Sequence, residues 1–67
     1  MTATRINFYT RTGRECWTFY FDTLDDATKV LDAIRAGQLV GIPLRWYGAT
    51  LYHEMTRIDS TFNTHAN

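Results

Sequence analysis

Glu15-Cys16-Trp17-Thr18-Phe19-Tyr20-Phe21-Asp22-Thr23-Leu24 contains the change of period that decides the fold. Up to Asp22 the side chains alternate. Trp17, Phe19 and Phe21 share one side, and Cys16, Thr18, Tyr20 and Asp22 share the other, the period of two that a strand imposes. From Thr23 the apolar residues Leu24, Ala27, Val30, Leu31 and Ile34 recur three and four apart, forming one stripe of a helix. Thr23 is a good N-cap, Asp26 stands three residues on as in a capping box, and Asp25 and Asp26 suit the positive end of the helix dipole. Asp25 and Lys29 have the favourable i,i+4 spacing. Arg35 followed by Gly37 marks the stop.

Working outward, Thr4 to Thr10 predicts a strand in which Ile6 and Phe8 oppose Arg5, Asn7 and Tyr9. Arg11-Thr12-Gly13-Arg14 is a short loop with Gly available for a positive φ, so the first two strands form a hairpin. After the helix, Gln38 to Pro43 is an apolar connector, with Leu39, Val40 and Ile42 expected beneath the sheet and Pro43 stopping any further helix. Leu44–Tyr47 and Thr50–Thr56 are expected as a second hairpin around Gly48-Ala49. Ile58 to Asn67 is polar, apart from Phe62, and is expected as a partly ordered tail.

These elements specify an α+β chain in ββαββ order: a four-stranded, largely antiparallel sheet with one helix packed on one face, a single domain over 1–57 and a tail over 58–67. If the helix returns the third strand beside the first, the order is 2-1-3-4; a mixed sheet in order 1-2-3-4 is the alternative. The expected core is Ile6, Phe8, Trp17, Phe19, Phe21, Leu24, Ala27, Val30, Leu31, Ile34, Leu44, Trp46, Leu51 and Met55.

Parity then sorts the surface. All four tyrosines, Tyr9, Tyr20, Tyr47 and Tyr52, fall on the side away from the helix, with Arg5, Arg11 and Arg45. Tyr and Thr are good strand formers, and Arg on a wet sheet needs no function. Yet the whole tyrosine content on one face suits a surface that is soluble alone and adhesive when paired, since each ring carries a polar tip. These seven residues are the candidate partner-binding site. The rival surface is the helix exterior, with Ala33 and Ala36 beside Asp25, Asp26, Lys29 and Asp32, where good helix propensity is the simpler explanation.

Sixty-seven residues are near the lower limit for a self-sufficient core. Cys16 is the only cysteine, so there is neither an internal disulfide nor a CxxC metal site. One unpaired thiol fits a reducing compartment, and the N-terminus has no apolar run of a signal peptide, so a cytoplasmic location without a membrane span is expected. Seven basic residues balance seven acidic ones, which removes any long-range attraction to nucleic acid. Six of the basic residues are Arg, whose planar group stacks on rings.

No pattern asks for catalysis, a cofactor or a metal. Cys16 and His53 fall on opposite faces by parity, which disfavours a nucleophilic pair, and His53 reads as a half-buried side chain satisfied locally. Cys16, His53 and His65 have no ligand spacing. Asp25-Asp26 is explained by capping, and the glycines lie in separate turns rather than in one phosphate loop. The expectation is a non-catalytic module that binds a larger protein or complex and blocks it sterically, as small inhibitors carried by phages and mobile elements do, anti-CRISPR proteins among them. Single-stranded nucleic acid bound by stacking on the Tyr/Arg face is the alternative. Homodimerisation through that face is the third reading.

Overall fold

A computed structural model describes residues 3–38 and 46–63. Strand β1 (Thr4–Tyr9) and β2 (Glu15–Phe21) form the first hairpin, α1 (Leu24–Arg35) follows, and β3 (Gly48–His53) and β4 (Thr56–Phe62) form the second. All pairings are antiparallel and the order is β2-β1-β3-β4. The 2-1-3-4 arrangement is therefore the one adopted. The helix lies across all four strands on a single face.

Local chemistry sets the hairpin and the helix. Gly13 takes φ 86° in the first turn, where the Thr10 N–H donates to the Arg14 carbonyl at 2.9 Å. The Thr23 hydroxyl accepts from the Asp26 N–H at 3.1 Å, satisfying one of the orphan donors of the first turn. At the other end Gly37 takes φ 81°. The Gln38 N–H then donates to the Ala33 carbonyl at 2.8 Å and the Gly37 N–H to that of Ile34 at 3.0 Å. This pair of bonds is a Schellman cap, which a side chain with a Cβ would strain.

The core is a layer between helix and sheet. Ile6 and Phe8 from β1, Ala49 and Leu51 from β3, Ala27, Leu31 and Ile34 from α1, and Trp46 are all buried. Phe8 is at the centre, edge-on to Phe19 and to Trp46 with ring centroids 5.5 Å away in each case. Trp17, Phe19 and Phe21, expected as core, share the helix face but are only half-buried, because β2 is an edge strand with no neighbouring strand on its outer side. Burying one such side chain contributes about 1.5–3 kcal/mol, so the central strands supply most of the apolar stabilisation.

Three expectations need correction. The second hairpin does not turn at Gly48-Ala49: β3 begins at Gly48, and the turn is Glu54-Met55, between the paired residues His53 and Thr56. Gly48 reads as a turn residue, but it is a strand residue facing Phe62, whose ring carbon would be 3.6 Å from a Cβ placed there. Glu54, not a glycine, adopts the positive φ of 57° that the turn demands. Met55, expected in the core, is consequently at the turn and 94% exposed. The stretch from Ile58, expected as a tail, continues β4 to Phe62, and the buried Asn63 then donates from Nδ2 to the Trp46 carbonyl at 3.0 Å. Leu44, Arg45 and the connector 39–43 lie outside the described residues, as do 64–67.

Candidate functional site

The register of the four strands lays out the face opposite the helix as three cross-strand rows. The first runs Tyr20, Arg5, Tyr52, Arg57; the second Thr18, Asn7, Thr50, Ser60; the third Glu15, Tyr9, Gly48, Phe62. Two irregularities preserve this alternation: Cys16 is the extra residue of a β-bulge in β2, and Ile58 is the extra residue in β4.

In the first row aromatic and cation alternate. The Arg5 guanidinium lies over the Tyr52 ring, 4.8 Å from its centroid, and Nη1 also donates to the Glu54 carbonyl at 3.2 Å. Each such contact contributes about 0.5–1 kcal/mol at an exposed site and fixes the orientation of the planar group. Tyr20 is 67% exposed at the β2 end of the row. The Tyr52 hydroxyl is hydrogen-bonded to Tyr9, which together with desolvation raises its pKa above the ordinary value of 10, against the opposing pull of Arg57 and Arg5.

The second row is short and quiet. Asn7 is buried at its centre and donates from Nδ2 to the Tyr9 hydroxyl at 3.2 Å, while its Oδ1 has no partner among the described residues. At the far end, Tyr47 anchors to the sheet by donating its N–H to the Tyr9 carbonyl at 2.8 Å. Its ring tilts onto Phe62 with centroids 5.5 Å apart, and Arg11 from the first turn lies over it at 5.4 Å. Tyr47 and Phe62 are among the exposed large apolar side chains of the chain.

Tyr9, Tyr20, Tyr47, Tyr52, Arg5 and Arg11 thus share one continuous face; Arg45 lies outside the described residues. Arg57, Phe62, Thr50 and Ser60 also belong to this face and were missed by sequence reasoning: Ser60 and Phe62 were assigned to the tail, Arg57 stood just past the last expected strand, and Thr50 was not singled out beside Tyr52. The signal was there in part: Thr56, Ile58, Thr61 and Phe62 are all good strand formers.

The other features fit plain structural roles. His53 is half-buried on the helix side of the sheet, its Nδ1 2.7 Å from the Thr4 hydroxyl. The exposed Cys16 donates its thiol to the Phe8 carbonyl at 3.4 Å. On the helix exterior Asp25 pairs with Lys29 at 3.2 Å and Asp32 with Arg35 at 3.2 Å. A cleft of about 430 Å³ between β2 and α1 is lined by Phe19, Phe21, Val30 and Ile34, and no charged side chain lines it among the described residues. Among the described residues no helix is long and apolar enough to cross a membrane. Comparisons with protein families, with curated proteins and with solved structures found no match for this chain.

Proposed function

We propose that this chain is a non-catalytic binding module that docks a larger protein through the open face of its sheet and acts by occluding the surface it covers. The observation that carries this reading is the first row together with the Tyr47–Phe62 corner: arginines already stacked on tyrosines, with exposed aromatic rings beside them. Tyr and Arg dominate binding hot spots because they bury much area with few rotors and keep a polar end for hydrogen bonding. A small face of this kind can block a larger machine without any chemistry of its own, in the manner of inhibitors encoded by phages and mobile elements, anti-CRISPR proteins included.

The same composition would serve a base-stacking sheet, but two of its rings already carry a cation on one face. Arg5 covers Tyr52 and Arg11 covers Tyr47, whereas stacking of bases needs open rings along a basic track. The neutral overall charge supplies no such track.

The test is capture of a partner from the host lysate by the intact chain and by two sets of variants. Tyr20→Ala and Tyr47→Ala should each weaken capture by roughly 2 kcal/mol while leaving the circular dichroism spectrum unchanged. Charge reversal at Asp25 and Asp26 should leave capture intact. Loss of capture on helix reversal, with the tyrosine variants unaffected, would make α1 the working surface.

A further inference from the structure

We infer that this chain pairs with a second copy of itself through the outer edge of β2, the two strands running antiparallel about a two-fold axis at Phe19. The inference stands on the edges of the sheet and is independent of what the open face docks.

The two edges differ in the property that decides which one can be extended. An edge strand presents unpaired backbone donors and acceptors, and chains blunt such edges with charges and bulges. β4 is blunted in both ways: Arg57 and Asp59 stand along it, and its ladder is interrupted at Ile58. β2 has no such protection over residues 17–21. There its register against β1 is unbroken, and the run Trp-Thr-Phe-Tyr-Phe contains no charge, proline or glycine. The bulge at Cys16 and the charged Arg14, Glu15 and Asp22 lie beyond the ends of this stretch. Among the described residues β1 is the only strand paired with β2. With one edge open and the other blunted, association closes at two copies rather than running on.

The apolar cleft between β2 and α1 opens at that same edge. Phe19, Tyr20 and Phe21 line it in succession, although they alternate between the two sides of the sheet, and Val30, Ala33 and Ile34 line it from the helix. A hollow reached from both sides of one strand lies at its rim. A two-fold axis perpendicular to the sheet keeps both helices on one side, so the two clefts face each other across the joint. Trp17 of each copy then stands opposite Phe21 of the other, and the two Phe19 side chains meet. All three are half-buried in the single chain and become covered.

A foreign strand would supply the same backbone bonds, but β2 matches itself on both sides. Around Phe19, apolar residues oppose apolar ones toward the helices, and Thr18 opposes Tyr20 on the open face. At each end, Arg14 of one copy comes beside Asp22 of the other, while Glu15 accepts the Thr18 hydroxyl of its own chain at 2.7 Å. A chain of 67 residues also gains more from the added burial than a larger domain would.

The experiment is sedimentation of the full chain over a concentration series, with amide hydrogen exchange on the same samples. The mass should rise from 7.8 kDa toward twice that value. Exchange over residues 17–21 should slow in step, and exchange in Thr56–Phe62 should not. The double variant Thr18→Lys/Tyr20→Lys sets like charges opposite each other and should associate at least about tenfold more weakly, with its dispersed NMR spectrum retained. Mixing it with Thr18→Glu/Tyr20→Glu should restore the dimer, because the opposed charges then differ in sign. Tyr47→Ala, on the β4 side of the open face, should dimerise as the parent chain does, whatever its effect on partner capture. A monomer at every concentration up to about 1 mM would overturn the inference. So would slowed exchange in Thr56–Phe62 instead of 17–21, an undiminished dimer in the lysine variant, no recovery on mixing, or a dimer lost with Tyr47→Ala. Should the lysine variant unfold, the exchange series on the parent chain decides.

Discussion

Tyr52 shows how one residue records its surroundings. Its hydroxyl bonds to Tyr9 and its partial burial disfavours the phenolate, so the neutral form is stabilised in the folded chain. A raised acid pKa means that this stabilisation is fully present below the ordinary value of 10 and is lost as pH rises through the higher folded value. In an ultraviolet titration of tyrosinate, Tyr52 should therefore ionise above the ordinary value of 10, and Tyr9→Phe should bring it back toward that value. Packing separates residues just as sharply. Phe8 is fully buried between Phe19 and Trp46, whereas Tyr20 is 67% exposed. Phe8→Ala should cost about 3–5 kcal/mol in denaturant unfolding, against less than about 0.5 kcal/mol for Tyr20→Ala. Equal costs would mean that the two faces have been exchanged. This contrast was legible in the residues themselves, because alternation in Ile6-Asn7-Phe8-Tyr9 and in Phe19-Tyr20-Phe21 needs no knowledge of the neighbouring strand.

At the scale of the element, the helix and the second hairpin behave differently. The helix carries its own instructions: Thr23 caps its start, and Gly37 closes its end in the left-handed conformation that the Schellman bonds require. The β3–β4 turn carries none. Glu54 accepts φ 57°, a conformation that costs an ordinary L-residue roughly 1–2 kcal/mol, because the ladder on either side holds the turn closed. Asn enters that region more readily, so Glu54→Asn should raise the midpoint of thermal unfolding by a few degrees, in line with about 0.5–1 kcal/mol for a small domain. A lower midpoint would show that the Glu54 side chain contributes to the turn. The true position of this hairpin could not be read from the chain. Gly48-Ala49 had the composition of a turn and Glu54-Met55 did not, while β4 is mostly polar and shows no apolar alternation.

At the scale of the whole molecule, one ionic contact ties the last strand to the helix. Arg35 donates from Nη2 to the Asp59 carboxylate at 2.7 Å and to the Ser60 carbonyl at 3.3 Å, and from Nη1 to Asp32 at 3.2 Å. Arg35 and the Ser60 N–H hold the Asp59 carboxyl below its ordinary value of 3.8. For a depressed acid the stabilisation is present above the ordinary value and is lost as pH falls through the lower folded value. Acid unfolding followed by circular dichroism should therefore steepen below pH 3.8, and Asp59→Asn should flatten that limb. The contact is exposed on both sides, so the effect is modest and should shrink in salt. It matters for the candidate site because β4 brings Arg57, Ser60 and Phe62 to the open face.

The α+β class, the limits of the helix and the assignment of Tyr9, Tyr20 and Tyr52 to one face were determined by sequence alone. They depend on local periodicity and capping, which act within a few residues. The path of the last strands was decided only by tertiary structure. Whether Gly48 turns or extends depends on a partner fourteen residues away, Phe62, which covers it from the neighbouring strand. The open face depends on the same pairing, since its rows run across strands that meet only when the sheet is complete.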